Sequence, residues 1–504
     1  MDTISALIKL KNDIDKRRSD YMYSKKLDEF EALINENLQI TDQEACFQLY
    51  GKKNLTNAYK SLKFRMEERL LNEIVEKCAI EEDLKTSVMP TIQLEKLVIV
   101  STLFMKYFYR KEGIMLFEKT LKLSKRYNEP ILILKTLTSI LNHYSFVEPN
   151  NKLMKKTEED IEYYTGMLLG EFKLRTVYAK ISNMYVMNKG KFSKLQMDEI
   201  HQMILQVDEI KNKYKTNFTI TQALDLSFFY YQTIGDYFKG LEVATKGLAE
   251  IEKFEVKDLF GIYQTKKNIA ICHFFLKNYN ESSKWFQETI GMVTVGSRNW
   301  INTTGLYFLN LIQANQYNEL YILSCNVISN KNLVKFPIYV EQWMIREAYL
   351  HFLVRMGKID DDVIKLNPIR SFSVNKFLNS MTFHAKDKTG QNITIQVLQI
   401  LFYLLDSKYN KIIDRIDTLT QYTYRYLNKD DTFRSNNFIK MLLLMVKADF
   451  HPVRTANYTA SLSKQLSNSK VVIDERSAQV EIIPYDRLWE MTMELLHNLH
   501  KKDK

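Results

Sequence analysis

Along much of the chain, apolar blocks longer than an ordinary strand alternate with short polar turns. Blocks of that length with so short a break between them predict helices joined by tight links. The blocks "ALDLSFFYYQTI", "KNIAICHFFL", "GLYFLNLIQA", "EAYLHFLVRM" and "IQVLQILFYLL" are each followed by a turn and a second helical stretch. The turns open at Gly235 ("GDYFKGLEVATKGLAEI"), Lys277 ("KNYNESSKWFQETI"), Asn315 ("NQYNELYILSCNVI"), Gly357 ("GKIDDDVIKL") and Ser407 ("SKYNKIIDRIDTL"). Tyr279 follows Tyr237 by 42 residues, and Tyr317 follows Tyr279 by 38. Self-similarity at such a period predicts stacked helix–turn–helix units.

The second helix after Gly235 carries Gly240, Ala244 and Gly247. Glycine inside a helix costs about 1 kcal/mol relative to alanine. Small residues one helical stripe apart are understandable where two helix backbones must approach closely. The same layout recurs in three places. Leu224, Phe228 and Tyr231 precede Gly235-Asp236-Tyr237. Ile269, Ala270 and His273 precede Lys277-Asn278-Tyr279, which Ser282, Phe286 and Thr289 follow. Leu97, Val100, Ser101 and Phe104 precede Gly113, Phe117 and Thr120. In this layout the chain resembles the tetratricopeptide (TPR) family. The family repeat is typically about 34 residues, whereas the turns here lie 38 to 50 apart. Asp362, Ile412 and Leu419 stand where that family places small residues. The resemblance implies an all-α fold, a TPR-like right-handed α-solenoid with a small N-terminal helical module.

Three regions are expected: a helical module at 1–80, the repeat array at 90–430, and a C-terminal helical cap at 431–504. Residues 1–24 read as a basic, polar helix. Thr41 and Glu44 have capping-box spacing for a short helix ending at Tyr50-Gly51. Tyr59, Leu62, Met66, Leu70 and Ile74 then stripe a longer helix, giving the module a helix-turn-helix outline. "MTFHAKDKTGQNITIQ" reads as a polar loop. Asp486 is placed to start a last helix, carrying Leu488, Met491, Met493 and Leu496, that covers the final repeat face.

Only 14 Gly and 7 Pro punctuate 504 residues, which agrees with long helices and short links. Apolar runs such as "LEKLVIVSTLFMKYF" stop well short of a membrane span. No signal peptide opens the chain, so a cytoplasmic protein without membrane contact is expected. Cys46, Cys78, Cys272 and Cys325 are far apart and read as reduced core thiols. No phosphate loop, GxGxxG, HExxH or GxSxG motif occurs. His497 and His500 read as a solvated helix end, and His273 as a packing histidine. The acidic runs Glu158-Glu159-Asp160 and Asp360-Asp361-Asp362 read as helix starts. No enzyme, cofactor or metal site is expected.

Binding is what remains. Carrying the family's groove positions over implies Gln222, Asp225, Phe229 and Gln232, then Gln264, Lys267, Ile271 and Phe274, as peptide- or protein-binding residues. Amides there would meet a peptide backbone, and exposed aromatics would supply apolar area. The formal charge of +11 leaves nucleic acid as an alternative partner. Lys52, Lys53, Lys60, Lys63, Arg65 and Arg69 would carry it, with "QYTYRYLNKDDTFRSNNFIK" as a second basic, aromatic stretch. The favoured expectation is a non-enzymatic scaffold that holds a protein segment or peptide in a concave groove. The alternative is a peptide-responsive, nucleic-acid-binding regulator.

Overall fold

The structure, a computed structural model, describes residues 25–37, 40–78, 88–188, 192–384, 391–426, 433–469 and 481–502. The expected helix at 1–24 lies outside them, as do residues 385–390 of the expected polar loop at 381–396, whose two ends are helical instead, and the side chains of Leu70, Ile74, Tyr422, Tyr424, Arg425 and Tyr426. The protein is all-α: every regular element among the described residues is helical and none is a strand. In chain order these are α1 (Lys25–Glu36), α2 (Asp42–Tyr50), α3 (Asn57–Cys78), α4 (Val88–Lys106), α5 (Arg110–Tyr127), α6 (Pro130–Asn142), α7 (Asn151–Met187) and α8 (Lys194–Lys213). There follow α9 (Asn217–Ile234), α10 (Tyr237–Ile251), α11 (Leu259–Phe275), α12 (Tyr279–Gly291), α13 (Arg298–Gln313), α14 (Tyr317–Ile328) and α15 (Pro337–Arg355). The last are α16 (Asp361–Leu366), α17 (Val374–His384), α18 (Gln391–Leu405), α19 (Tyr409–Tyr426), α20 (Phe433–Lys447), α21 (Pro452–Asn468) and α22 (Tyr485–Lys502). The chain divides into two compact units, residues 1–226 with 250–261, and residues 227–249 with 262–504.

In the first unit, α1, α2 and α3 bury Leu27, Phe30, Cys46, Tyr59, Leu62 and Met66 against one another. The expected capping box is present. Thr41 Oγ1 accepts from the Glu44 N–H at 3.3 Å, and Glu44 Oε2 accepts from the Thr41 N–H at 2.9 Å. Gly51 ends α2 with φ +66°. Further along, α7 runs unbroken for 37 residues, about 55 Å. Gly166 and Gly170 do not interrupt it. They are notches: a methyl added at Gly166 would run into Tyr214 Oη, and one at Gly170 would lie 3.0 Å from Ile210 Cγ2. Asn150 caps this helix by accepting from the Leu153 N–H at 3.1 Å. Glu158-Glu159-Asp160 therefore lie two turns inside α7 rather than at its start, and Asp160 pairs with Lys125 at 2.7 Å. The other acidic run is as expected, with Asp361 and Asp362 in the first turn of α16.

In the second unit the turn series recurs as one backbone geometry. Gly235, Lys277, Asn315, Gly357 and Ser407 all have left-handed φ, at +75°, +62°, +59°, +67° and +55°. After each, the next N–H returns to the carbonyl five residues back: Asp236 to Tyr231 at 2.9 Å, Asn278 to His273 at 2.8 Å, Gln316 to Leu311 at 3.0 Å, Lys358 to Leu353 at 3.0 Å and Lys408 to Tyr403 at 2.8 Å. This is the Schellman closure of a helix C-terminus. At Gly240 the neighbours are near but leave almost enough room for a side chain. A methyl on Gly240 would lie 3.5 Å from Tyr231 Cβ and 3.3 Å from Cys272 Sγ. Ser282 Oγ donates to the Ala270 carbonyl at 2.8 Å, joining α12 to α11.

One continuous core runs through this unit from Phe228 to Leu496. Leu488, Met491 and Leu496 of α22 are in it. The last helix covers α20 and α21, but its reach is wider than the cap expected for a final repeat. Arg487 Nη1 donates to the Ile312 carbonyl at 2.6 Å and Nη2 to the Gln313 carbonyl at 3.3 Å, closing the C-terminus of α13. Lys358 pairs with Glu494 at 2.8 Å. Unmatched carbonyls at a helix end attract a guanidinium, which explains a contact spanning some 175 residues of sequence.

Candidate functional site

A cleft of about 430 Å³ opens in the second unit. Its walls come from the first helix of successive pairs. Ile271, Phe274 and Phe275 come from α11, Ile301, Gly305, Leu306 and Leu309 from α13, and Tyr339, Gln342 and Arg346 from α15. Phe336, Pro337 and Ile338 form the lip between α14 and α15, and Gln232 stands at one edge. The walls are mostly aromatic and aliphatic because these helices are apolar nearly all round. Phe274 packs edge-on to Phe275 with centroids 5.2 Å apart, and Phe286 sits 5.8 Å from Tyr307. Asn302 Nδ2 donates to the Tyr339 hydroxyl at 3.3 Å, a polar spot in the wall.

The charge of the lining has one sign. Arg298 and Lys335 are exposed at the mouth, Arg346 is buried in the wall, and no Asp or Glu lines the cleft. Arg346 is 7% exposed. Its guanidinium lies 5.0 Å from the Trp343 ring and 5.7 Å from that of Phe308. Gly305 makes the room: a methyl there would lie 2.9 Å from Arg346 Nη1 and 3.2 Å from Cζ. Burial pushes the Arg346 pKa down to about 10, which leaves it charged at neutral pH.

Of the eight expected groove residues, Gln232, Ile271 and Phe274 line this cleft. Ile271 and Phe274 are 8% and 6% exposed, so they are wall rather than projecting side chains. Both belong to one buried core together with Ile301 and Leu309 of α13. Phe229 is half-buried outside the lining. Lys267 Nζ donates to Gln264 Oε1 at 2.6 Å and lies 5.5 Å from the Tyr263 ring. Gln222 and Asp225 belong to the first unit.

The basic candidates divide. Lys52, Lys53 and Lys60 are exposed. Lys63 pairs with Asp42 at 2.9 Å, and Arg69 reaches Asp28 at 2.7 Å and Glu31 at 3.3 Å. Arg65 Nε donates to the Ser61 carbonyl at 3.3 Å. In the second stretch Arg434 is internal, bonded to Glu481 and to the Leu466 and Ser469 carbonyls.

The polar cleft residues that sequence reading passed over are Arg298, Asn302, Lys335, Tyr339, Gln342 and Arg346, with Gly305 beside them. Arg346 had a signal: "QWMIREAYLHFLV" sets adjacent charges inside an otherwise apolar helix. The site offers apolar area and positive charge, without a paired acid and base. Burial holds the His273 imidazole below its usual range and pushes the Cys272 thiol up to about 12. Neither is a reactive group in that state. Cys46, Cys272 and Cys325 are free thiols. Among the described residues no cluster of His, Cys, Asp and Glu could hold a metal ion. Nor, among them, is any helix long and apolar enough to cross a membrane. Compared with known proteins, the chain matches no family model and no curated sequence.

Proposed function

We propose that residues 227–504 form a TPR-like helical-repeat array that holds a segment of a partner protein along its first helices, and that the protein performs no chemistry of its own. The observation that carries this reading is the lining of the cleft. α11, α13 and α15, the first helices of three consecutive pairs, contribute to one apolar hollow. Binding along successive first helices is what a stack of such pairs offers a partner. The recurring turn supports it, since equal turn geometry aims each second helix alike. The lip adds exposed apolar surface: Ile338 is 73% exposed. Large exposed apolar side chains beside a hollow are an anchor for a partner rather than ordinary surface.

The test is affinity capture from native extract, with and without nuclease, using the full chain and an Ile338→Glu variant. Partner proteins should be recovered equally in both nuclease arms, and the variant should lose them. Recovery that vanishes with nuclease returns the reading to a nucleic-acid-dependent regulator. Recovery untouched by Ile338→Glu moves the partner away from this lip.

A further inference from the structure

Helix α15 places two adjacent charges in the core of the second unit, and the fold treats them differently. Glu347 is 5% exposed and is held by Arg370, whose Nε and Nη2 donate to its two oxygens at 2.9 and 2.7 Å. Arg346 has no such partner. It makes no hydrogen bond or ion pair with any described residue, and its Nη1 is buried with nothing to donate to. Two aromatic rings cover it, and Gly305 gives it space. Leaving a buried charge without an opposite charge is strongly unfavourable. Rings offset part of that through cation–π attraction. The hydrogen-bonding edge of the guanidinium remains unsatisfied.

The surroundings describe what is missing. Arg346 and the glycine beneath it both line the cleft. Arg298 and Lys335 stand at the mouth, and no carboxylate competes for them within the lining. A guanidinium presents a planar fork that a carboxylate fits with two parallel hydrogen bonds. The remaining wall is apolar, and about 430 Å³ is the size of a small-molecule pocket. We propose that this cleft binds a small amphipathic organic acid, its carboxylate paired with Arg346 and its apolar body lying between Phe274, Leu306, Leu309 and Phe336. A group this deep is reached by a slender head, which favours a small acid over a main chain. The ligand is of a different class from a partner protein, so this inference goes beyond the protein-binding reading and can fail without it.

The experiment is isothermal titration of the full chain with decanoate and with decanol, which share a tail and differ in the head. Decanoate should bind about tenfold or more tighter than decanol, as a charge-assisted pair implies. In Arg346→Gln, decanoate should fall to the affinity of decanol while decanol is unchanged. Because Arg346 is internal, its replacement can unfold the unit. The exposed pair Arg298→Ala/Lys335→Ala leaves the core intact and should weaken decanoate several-fold with decanol unaffected. Equal binding of the two probes, no saturable decanoate binding below about 1 mM, or decanoate affinity unchanged in the folded variants would overturn the proposal. None of those results depends on whether Ile338→Glu loses its protein partners, so the two readings fail separately.

Discussion

Lys277 and Gly235 occupy the same place in two successive turns, and exchanging their side chains should move stability in opposite directions. Lys277 has φ +62° and Gly235 φ +75°. The left-handed conformation costs an L-residue roughly 1–2 kcal/mol, because Cβ crowds the following carbonyl. Glycine avoids that but loses more backbone entropy on folding, roughly 0.5–1 kcal/mol. The difference leaves glycine ahead of alanine by about 1 kcal/mol at each position. Nothing lies within 4 Å of a methyl built on Gly235, so Gly235→Ala tests the backbone alone. The Lys277 side chain is exposed and makes no ion pair or side-chain hydrogen bond with described residues. Its charge does sit at the C-terminus of α11, worth a few tenths of a kcal/mol. The clean comparison is therefore Lys277→Gly against Lys277→Ala, both uncharged. Lys277→Gly should be the more stable by about 1 kcal/mol, and Gly235→Ala should lose about the same. Urea unfolding checks this through midpoints that move while the slope m stays constant. If alanine and glycine prove equal at 277 while they differ at 235, the two turns do not share a conformation, and the regularity of the series fails with it.

Three further changes probe other parts of the molecule. Burial pushes the Glu171 carboxyl from its ordinary 4.5 up to about 7, against the pull of Arg175. The folded state therefore holds that proton better than the unfolded chain. Its contribution is full below about pH 4.5 and is lost as pH rises through about 7. Glu171→Gln should differ little from the parent at pH 4 and exceed it by up to about 3 kcal/mol at pH 8; a gain independent of pH would contradict the assignment. Arg434→Ala should cost about 3–5 kcal/mol, since Glu481 is left buried without its cation. In a double-mutant cycle Arg434→Ala/Glu481→Ala should recover much of it, and simple additivity would remove the coupling. Gly166→Ala should lose about 1–3 kcal/mol from overpacking against Tyr214 Oη. Adding Tyr214→Phe should restore most of that loss, and no rescue would mean the backbone, not the hydroxyl, is the obstacle.

Local chemistry alone made much of the fold legible. Long apolar blocks with few Gly and Pro between them marked the helices, because a strand is too short to use so many apolar positions. Thr41 with Glu44 announced α2, and Gly51 its end, through bonds that close within a few residues. Gly235 and Gly357 marked turns by the one property glycine alone supplies cheaply. Lys277, Asn315 and Ser407 carry no such mark and were placed only by their spacing from the others. Similar glycines in α7 proved to be packing notches, and nothing adjacent to Gly166 in sequence says that Tyr214 would press against it.

What the tertiary structure alone decided are the contacts between distant residues. Arg487 closing α13, Arg434 gripping Glu481, and Phe274 turning from groove surface into cleft wall all depend on which helix arrives alongside. The cleft followed the same rule. Gln232, Ile271 and Phe274 were named from one pair of helices, but the charge and the shape of the site come from α13 and α15. The sequence showed that Arg346 interrupts an apolar helix. That Glu347 finds Arg370 while Arg346 finds only two rings and a glycine is set by three-dimensional neighbours, because a buried charge is judged by what surrounds it rather than by what precedes it in the chain.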